Sequence, residues 1–158
     1  VLIFWLMGGF SHVRWPYITT ATPIIISCLI CILLLARNLN LLLLSEEEAQ
    51  YLGVDIFKMV KIFLVLGSFI TAVAVSCSGC IGFVGLVVPH IMRILLGPDH
   101  RILLPSSILA GASLLTFCDV VARIACPPIE LPVGVITALI GAPFFLYLLY
   151  RKREVYTF

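Results

Sequence analysis

The sequence predicts an all-α protein, a polytopic transmembrane helical bundle with about five full spans plus the end of a truncated one. Hydrophobic residues make up 62% and charged residues 11% of the 158 residues, with a mean hydropathy of +1.20. Soluble domains are nearer 45–50% apolar and about 25% charged. Apolar segments of about 20 residues, enough to cross a bilayer core of about 30 Å, alternate with short polar connections. A net charge of only +2 argues against a nucleic-acid partner.

The predicted spans cover residues 17–36, 59–78, 80–96, 102–122 and 131–150, and the whole chain is expected to form one partial transmembrane domain. The opening stretch VLIFWLMGGF is too short to cross a bilayer at 1.5 Å per residue. We therefore expect it to be the tail of a span and the chain to be the C-terminal part of a longer protein. Residues 37–58 form the longest polar connection.

The positions of lysine and arginine predict the orientation. Cytoplasmic connections of membrane proteins carry an excess of these residues. If the C-terminus is cytoplasmic, eight of the ten cations lie on or near the inner side, and only Arg14 and Arg123 lie outside. The eight are Arg37, Lys58, Lys61, Arg93, Arg101, Arg151, Lys152 and Arg153. A cytoplasmic C-terminus is therefore expected.

The connection 37–58 contains the signature of a short helix outside the membrane. Ser45 and Glu48 match a capping box, and Gly53 suits the end of a helix over about 46–52. Four leucines at 41–44 precede this helix. A solvated connection is the simpler interpretation, but exposed leucines beside a capped helix favour a docking surface for a cytoplasmic partner.

The stretch SGCIGFVGLVVPHIMRILLGPDHR combines small residues, a helix breaker and charge. Gly79, Gly82 and Gly85 recur every three residues, a spacing that predicts close helix packing on one face. Pro89 predicts a kink, because proline lacks the amide proton. His90 is interpreted as a packing residue in preference to a proton relay, and Arg93 is expected to reach the headgroups or a partner.

The remaining candidates do not indicate an enzyme. Asp119 and Arg123 are spaced to form an ion pair one helical turn apart. CxxC pairs at Cys28/Cys31 and Cys77/Cys80 have a spacing used by zinc sites, but apolar surroundings favour simple packing. No HExxH, GxSxG or GxxxxGK[ST] motif occurs in the chain, so neither catalysis nor ATP binding by a P-loop is predicted.

Several ordered motifs resemble one family. SGCIGFVGLVVPHIMRILLGPDHRILLPSSILAGASLL, then DVVAR and ELPVGVITALIGAPFFLYLL, are similar to the FecCD-type permeases, and WLMGGF and RNLNLLLLSEEEAQYLGV extend the resemblance upstream. These permeases are membrane subunits of ABC importers for iron–siderophores, haem and cobalamin. The chain resembles their second half. Ser45 and Cys80 depart from the usual family residues, and both replacements are small.

The resemblance implies the partners. The coupling residues that contact a cytoplasmic ABC ATPase would be Ser45, Glu46, Glu47, Glu48, Ala49, Leu52, Gly53, Val54 and Asp55. Arg123 would contact acidic residues of an extracytoplasmic substrate-binding protein. The chain itself would hold no cofactor, because ATP and magnesium bind to the ATPase. A second permease copy and membrane lipid complete the expected assembly, in a bacterial or archaeal cytoplasmic membrane.

The resemblance also implies a cargo and a mechanism. Ferric siderophore is the first expectation, with haem, cobalamin or an oxyanion as alternatives, and substrate would move by ATP-driven alternating access. A non-ABC membrane pore is the competing class of function. Spans 17–36 and 131–150 carry only scattered serine and threonine, whereas a pore should line one span with polar residues at helical spacing.

Overall fold

The computed structural model describes residues 7–11, 13–43, 55–125 and 131–155, with side chains in the last range through Leu148 and at Tyr150. Within these ranges the chain folds into six helices, five of them with 13 or more residues. They are α1 (Trp15–Leu34), α2 (Ala36–Leu41), α3 (Ile56–Ser78), α4 (Val84–Leu96), α5 (His100–Ala125) and α6 (Val133–Val155). The all-α fold class predicted from composition is confirmed.

Local residues explain where the helices begin and end. Pro16 lies in the first turn of α1, where its missing amide proton costs nothing. The Asp55 carboxylate caps α3 by accepting a hydrogen bond from the backbone N–H of Lys58 at 3.1 Å. Gly79 and Gly97, with φ of 73° and 88°, end α3 and α4 in the left-handed backbone region that glycine enters without strain.

The helices pack around a small core near one end of the bundle. α5 is central and contacts α4, α6 and the short α2, while α1 packs on α3. Cys118, Ala122 and Val133 are almost fully buried, and Phe10 packs against them. The core therefore joins α5, the start of α6 and the N-terminal segment.

Most of the apolar surface is not buried within this chain. No residue of the 23-residue α3 is buried within this chain. Its large apolar side chains Phe57, Leu64 and Val65 are all more than 60% exposed. So much exposed apolar surface is stable only against lipid or other protein. Among the described helices, α1, α3 and α5 are long and apolar enough to cross a membrane, whereas α4 and the Val133–Leu148 part of α6 are apolar but shorter.

Two of the differences between the helix bounds and the sequence-based spans involve a break in a predicted helix. The first predicted span, 17–36, is divided at Leu35, and the chain continues as the unpredicted helix α2. The predicted segment 80–96 is helical only from Val84, because residues 79–83 form a break between α3 and α4. Such single-residue boundaries depend on tertiary contacts, to which hydropathy is insensitive.

The predicted single face of Gly79, Gly82 and Gly85 is wrong. Gly79 ends α3, Gly82 lies in the break, and only Gly85 is helical. A β-carbon at Gly82 or Gly85 would meet no atom within 4 Å in the described chain. The reason is conformational, because Gly79 has the positive φ that ends a helix and so cannot share a helical face with the other two.

Candidate functional site

The structure describes the residues on either side of the predicted coupling segment. Residues 44–54 lie outside the described ranges, and with them the predicted helix over 46–52 and its capping box. Leu43, just before this segment, is 52% exposed. Asp55, just after it, caps α3 and forms an ion pair with Lys58, with 3.0 Å between Oδ2 and Nζ. The observed role of Asp55 is therefore helix capping, and its coupling role stays a prediction.

The helix ends on either side of the coupling segment meet at one end of the bundle, which we call the Asn40 end. It consists of α2, the first turns of α3 and α5 and the last turn of α4. Asn38 of α2 donates to the Met59 sulfur of α3 at 3.6 Å, and Asn40 contacts the start of α5. The exposed cations Arg37, Lys58, Lys61, Arg93 and Arg101 all lie on these elements. Among the described residues, the Asn40 end therefore carries five cations against the two carboxyl groups of Asp55 and Asp99.

A polar cluster at the Asn40 end was missed by the sequence-based interpretation. The Asn40 side chain donates to Asp99 Oδ1 at 2.6 Å and accepts hydrogen bonds from His100. Asp99 Oδ1 also accepts from the backbone N–H of Arg101 at 3.0 Å, in the manner of a helix N-cap. Aspartate before an apolar helix is a start signal that sequence could have revealed. Its partner 59 residues earlier has no sequence signal.

Hydrogen bonding also favours the charged form of both carboxyl groups. The backbone N–H of Arg101, followed by the Asn40 amide, holds the pKa of the Asp99 carboxyl below its ordinary value of 3.8. The Lys58 side chain does the same for the pKa of Asp55. Both groups are therefore carboxylates at neutral pH, and each neutralises part of the basic charge around it.

The opposite end of the bundle, which we call the Arg123 end, carries the predicted ion pair. Arg123 Nε donates to Asp119 Oδ2 at 2.9 Å, and Nη2 lies 3.5 Å from Oδ1. The Arg123 side chain is 50% exposed. The predicted pairing of these two residues is confirmed. The pair lies in the last two turns of α5, immediately after the buried Cys118.

Close backbone crossings at the Arg123 end explain glycines that the sequence-based interpretation did not use. Gly9 N–H donates to the Ser78 carbonyl at 2.8 Å, and Gly134 N–H donates to the Gly8 carbonyl at 3.3 Å. A β-carbon on Gly8 would lie 2.5 Å from the Cys80 carbonyl oxygen, and one on Gly134 would overlap the Met7 carbonyl. The N-terminal segment, residues 7–9, thus lies between the α3–α4 break and the start of α6.

The break at residues 79–83 lines an apolar groove. Phe83 has a φ of 66°, a strained value for a residue with a β-carbon. Gly79, Ile81 and Val84 border a groove of about 570 Å³ together with Phe10, α3 and Leu115. None of the described residues that line it is charged. Non-helical backbone within a membrane protein is tolerated where it is covered by protein or lines a cavity.

The other candidates from the same motif are structural. α4 continues through Pro89, and the half-buried His90 ring makes an edge contact with Phe144, with 6.3 Å between centroids. This contact agrees with the interpretation of His90 as a packing residue. Arg93 is exposed in the last turn of α4. In the described ranges, no three His, Cys, Asp or Glu side chains come close enough to hold a metal ion.

Apolar helices that bury little of their surface, with charge concentrated at the two ends, define a multi-pass membrane protein. Neither the groove nor the clusters of the described part provides an acid–base pair or a phosphate-binding loop. Comparison with known proteins then identifies the family. The chain belongs to the FecCD transport family, whose model matches residues 1–151.

Two relatives illustrate the similarity. The chain is 50% identical over 153 residues to the cobalamin import system permease protein BtuC of Halobacterium salinarum. The aligned region covers 97% of this chain and 41% of the relative. It is 46% identical over 150 residues to the hemin transport system permease protein HmuU of Yersinia pestis, covering 95% and 45% respectively. The chain thus spans less than half the length of these relatives, in agreement with the expected half-permease.

A solved structure shows the same fold. It is described as an inward-facing conformation of a metal-chelate type ABC transporter. The match has a TM-score of 0.87 and 40% sequence identity, and it covers 94% of this chain and 49% of that one. At this level of identity, the arrangement of α1 to α6 is that of an ABC transporter permease.

Proposed function

We propose that this chain forms part of the membrane-spanning permease of a binding-protein-dependent importer for metal chelates, driven by a separate cytoplasmic ATPase. The observation that carries the proposal is the match to the FecCD transport family over residues 1–151. The similarity to a metal-chelate type ABC transporter supports the same class. Two permease copies facing each other would form the pathway at their interface and expose it alternately to the two sides.

The charge distribution supports an orientation. The Asn40 end carries five exposed cations, whereas Arg14 and the Asp119-paired Arg123 lie toward the opposite end. Positive charge favours the cytoplasmic side. We therefore place the Asn40 end and the C-terminal end of α6 in the cytoplasm, where residues 44–54 would meet the ATPase. Arg123 would then face the binding protein.

The cargo is proposed at the level of a metal chelate. The relatives are named for cobalamin and hemin, so a metal-bearing macrocycle is the first candidate. Ferric siderophore, the expectation from sequence, stays a prediction.

Reconstitution tests the function. The permease expressed from its complete gene is placed in liposomes with its ATPase and binding protein, and uptake of radiolabelled cobalamin, hemin and a ferric siderophore is measured with and without ATP. The proposal predicts uptake of one of them that requires both ATP and the binding protein. A partner ATPase that binds but cannot hydrolyse ATP is the control. Uptake that persists without ATP would instead indicate a pore and contradict the proposal.

A further inference from the structure

The polar cluster at the Asn40 end uses both the nitrogen and the oxygen of one amide. Asn40 Nδ2 donates to Asp99 Oδ1 at 2.6 Å. Asn40 Oδ1 accepts from the His100 backbone N–H at 2.8 Å and lies 2.8 Å from His100 Nδ1. One side chain on α2 therefore holds both the residue before α5 and the first residue of α5.

The partners determine how the amide and the imidazole are oriented. With the amide reversed, its oxygen would face the Asp99 carboxylate and its nitrogen would face the His100 N–H, so both contacts would become repulsive. Since Asn40 Oδ1 is the acceptor, His100 Nδ1 must carry a proton. Asn40 is thus placed by one charge-assisted bond and two further bonds in a single arrangement.

The surroundings make this attachment firm. His100 is only 8% exposed, and Ala36 of α2 and Leu103 of α5 are 3% and 4% exposed. α2 has just six residues, too few for a stable helix in isolation. Its position therefore depends on the packing against α5 and on the hydrogen bonds of Asn40.

The cluster connects the helix before the coupling segment to the helix that reaches the Arg123 end. Asn40 lies four residues before residue 44, where the predicted coupling segment begins. His100 begins α5, whose 26 residues extend about 39 Å at 1.5 Å per residue to the Arg123 end. A displacement of α2 would thus be passed to one continuous helix, which includes Pro105 and reaches the other side of the bundle.

We propose that Asn40 and His100 are positioning residues that fasten the coupling segment to α5, so that movement of residues 44–54 is transmitted along α5 to the Arg123 end. This inference rests on the proposed function. Without the fastening, a push on the segment would bend the short α2 and leave α5 in place. ATP would still be hydrolysed, but fewer substrate molecules would cross per ATP.

The test compares two asparagines of the same helix. In the reconstituted full-length importer, Asn40→Ala removes three hydrogen bonds. The control Asn38→Ala removes only a 3.6 Å contact to a thioether sulfur, a weak acceptor. Substrate uptake, ATP hydrolysis, co-purification with the ATPase and thermal stability are measured for each. Asn40→Ala is expected to lower substrate moved per ATP about fivefold to tenfold, and Asn38→Ala to leave the ratio unchanged.

Two further variants keep the test decisive if Asn40→Ala does not assemble. His100→Ala removes the ring contact but keeps the backbone N–H bond, so a smaller fall in the ratio is expected. Asp99→Asn keeps an oxygen for both the Asn40 and Arg101 donors, so it should retain near-normal coupling.

The outcomes separate the two proposals. A normal ratio in both Asn40→Ala and His100→Ala, or a parallel loss of uptake, hydrolysis and stability, would overturn the positioning role. If the unmodified importer shows no ATP-dependent uptake, the proposed function itself fails.

Discussion

Phe83 packs directly onto the backbone of Gly141. A β-carbon built at Gly141 would overlap Phe83 Cβ and lie 2.5 Å from its Cγ. Phe83 has a positive φ of 66°, so this contact holds a strained residue at the end of the α3–α4 break. The lack of a side chain at residue 141 thus lets the break pack against α6.

We predict that Gly141→Ala destabilises the protein, because Phe83 would have to leave its rotamer or shift its backbone. Overpacking of this kind costs about 1–3 kcal/mol. Gly67→Ala is the matched control, since Gly67 also lies inside a long helix and a β-carbon there would meet nothing within 4 Å. Thermal unfolding in detergent compares the two variants. Equal melting temperatures would contradict the packing shown here.

Two adjacent glycines should respond differently to alanine. At Gly8, a β-carbon would lie 2.5 Å from the Cys80 carbonyl oxygen, and its φ of 68° disfavours any side chain. At Gly9, the nearest atom would be the Val133 nitrogen at 3.9 Å. Gly8→Ala is therefore expected to lower the folded yield and melting temperature, whereas Gly9→Ala should be close to neutral. A reversed order would show that the N-terminal segment crosses elsewhere.

Lowering the pH should leave the attachment of α2 to the start of α5 unchanged until the Asp99 carboxylate is protonated. The folded-state pKa of Asp99 is depressed below 3.8, so its stabilisation is complete above 3.8 and is lost as pH falls through the lower, folded value. Thermal stability attributable to Asp99 should therefore be constant from neutral pH to about 3.8. Melting curves of the unmodified protein and Asp99→Asn, recorded across this range, should converge only below it. Convergence near neutral pH would contradict the depressed pKa.

Changes in the predicted coupling segment should separate hydrolysis from transport. Glu47→Lys reverses a charge, and Gly53→Pro removes the conformational freedom expected at a helix end. Both variants are expected to insert normally into the membrane and to lose most ATP-driven uptake. Membrane fractionation, uptake in cells expressing the complete gene and ATP hydrolysis by the purified importer provide the measurement. Unchanged uptake in both would remove the coupling assignment from this segment.

The ion pair at the Arg123 end should matter more for binding than for stability. Exposed pairs one helical turn apart contribute about 0.3–0.5 kcal/mol, so Asp119→Asn should barely change the melting temperature. Arg123→Glu should weaken docking of the binding protein about tenfold or more, because it turns an attraction for acidic residues into repulsion. Arg123→Lys retains the charge and is the control. The measurement is the affinity of the binding protein for each permease variant in nanodiscs. Equal affinities for the Glu and Lys variants would contradict the docking role.

Several features could be predicted from sequence because they depend on neighbours in the chain. The Asp119–Arg123 pair needs only helical spacing, and the basic end needs only the order of spans and cations. The glycine interpretation failed because one positive φ at Gly79 ends the helix that the spacing assumes. The functions predicted for residues 44–54 fall outside the described ranges and stay predictions.

By itself, the sequence determined that this is an all-helical membrane protein, because hydropathy and helical period are properties of consecutive residues. Only the tertiary structure decided that Asn40 holds Asp99 and His100, and that Gly8, Gly134 and Gly141 are the crowded glycines. Those contacts join residues about 60 or more positions apart. They depend on how the helices cross in space, and a local sequence pattern does not contain that information.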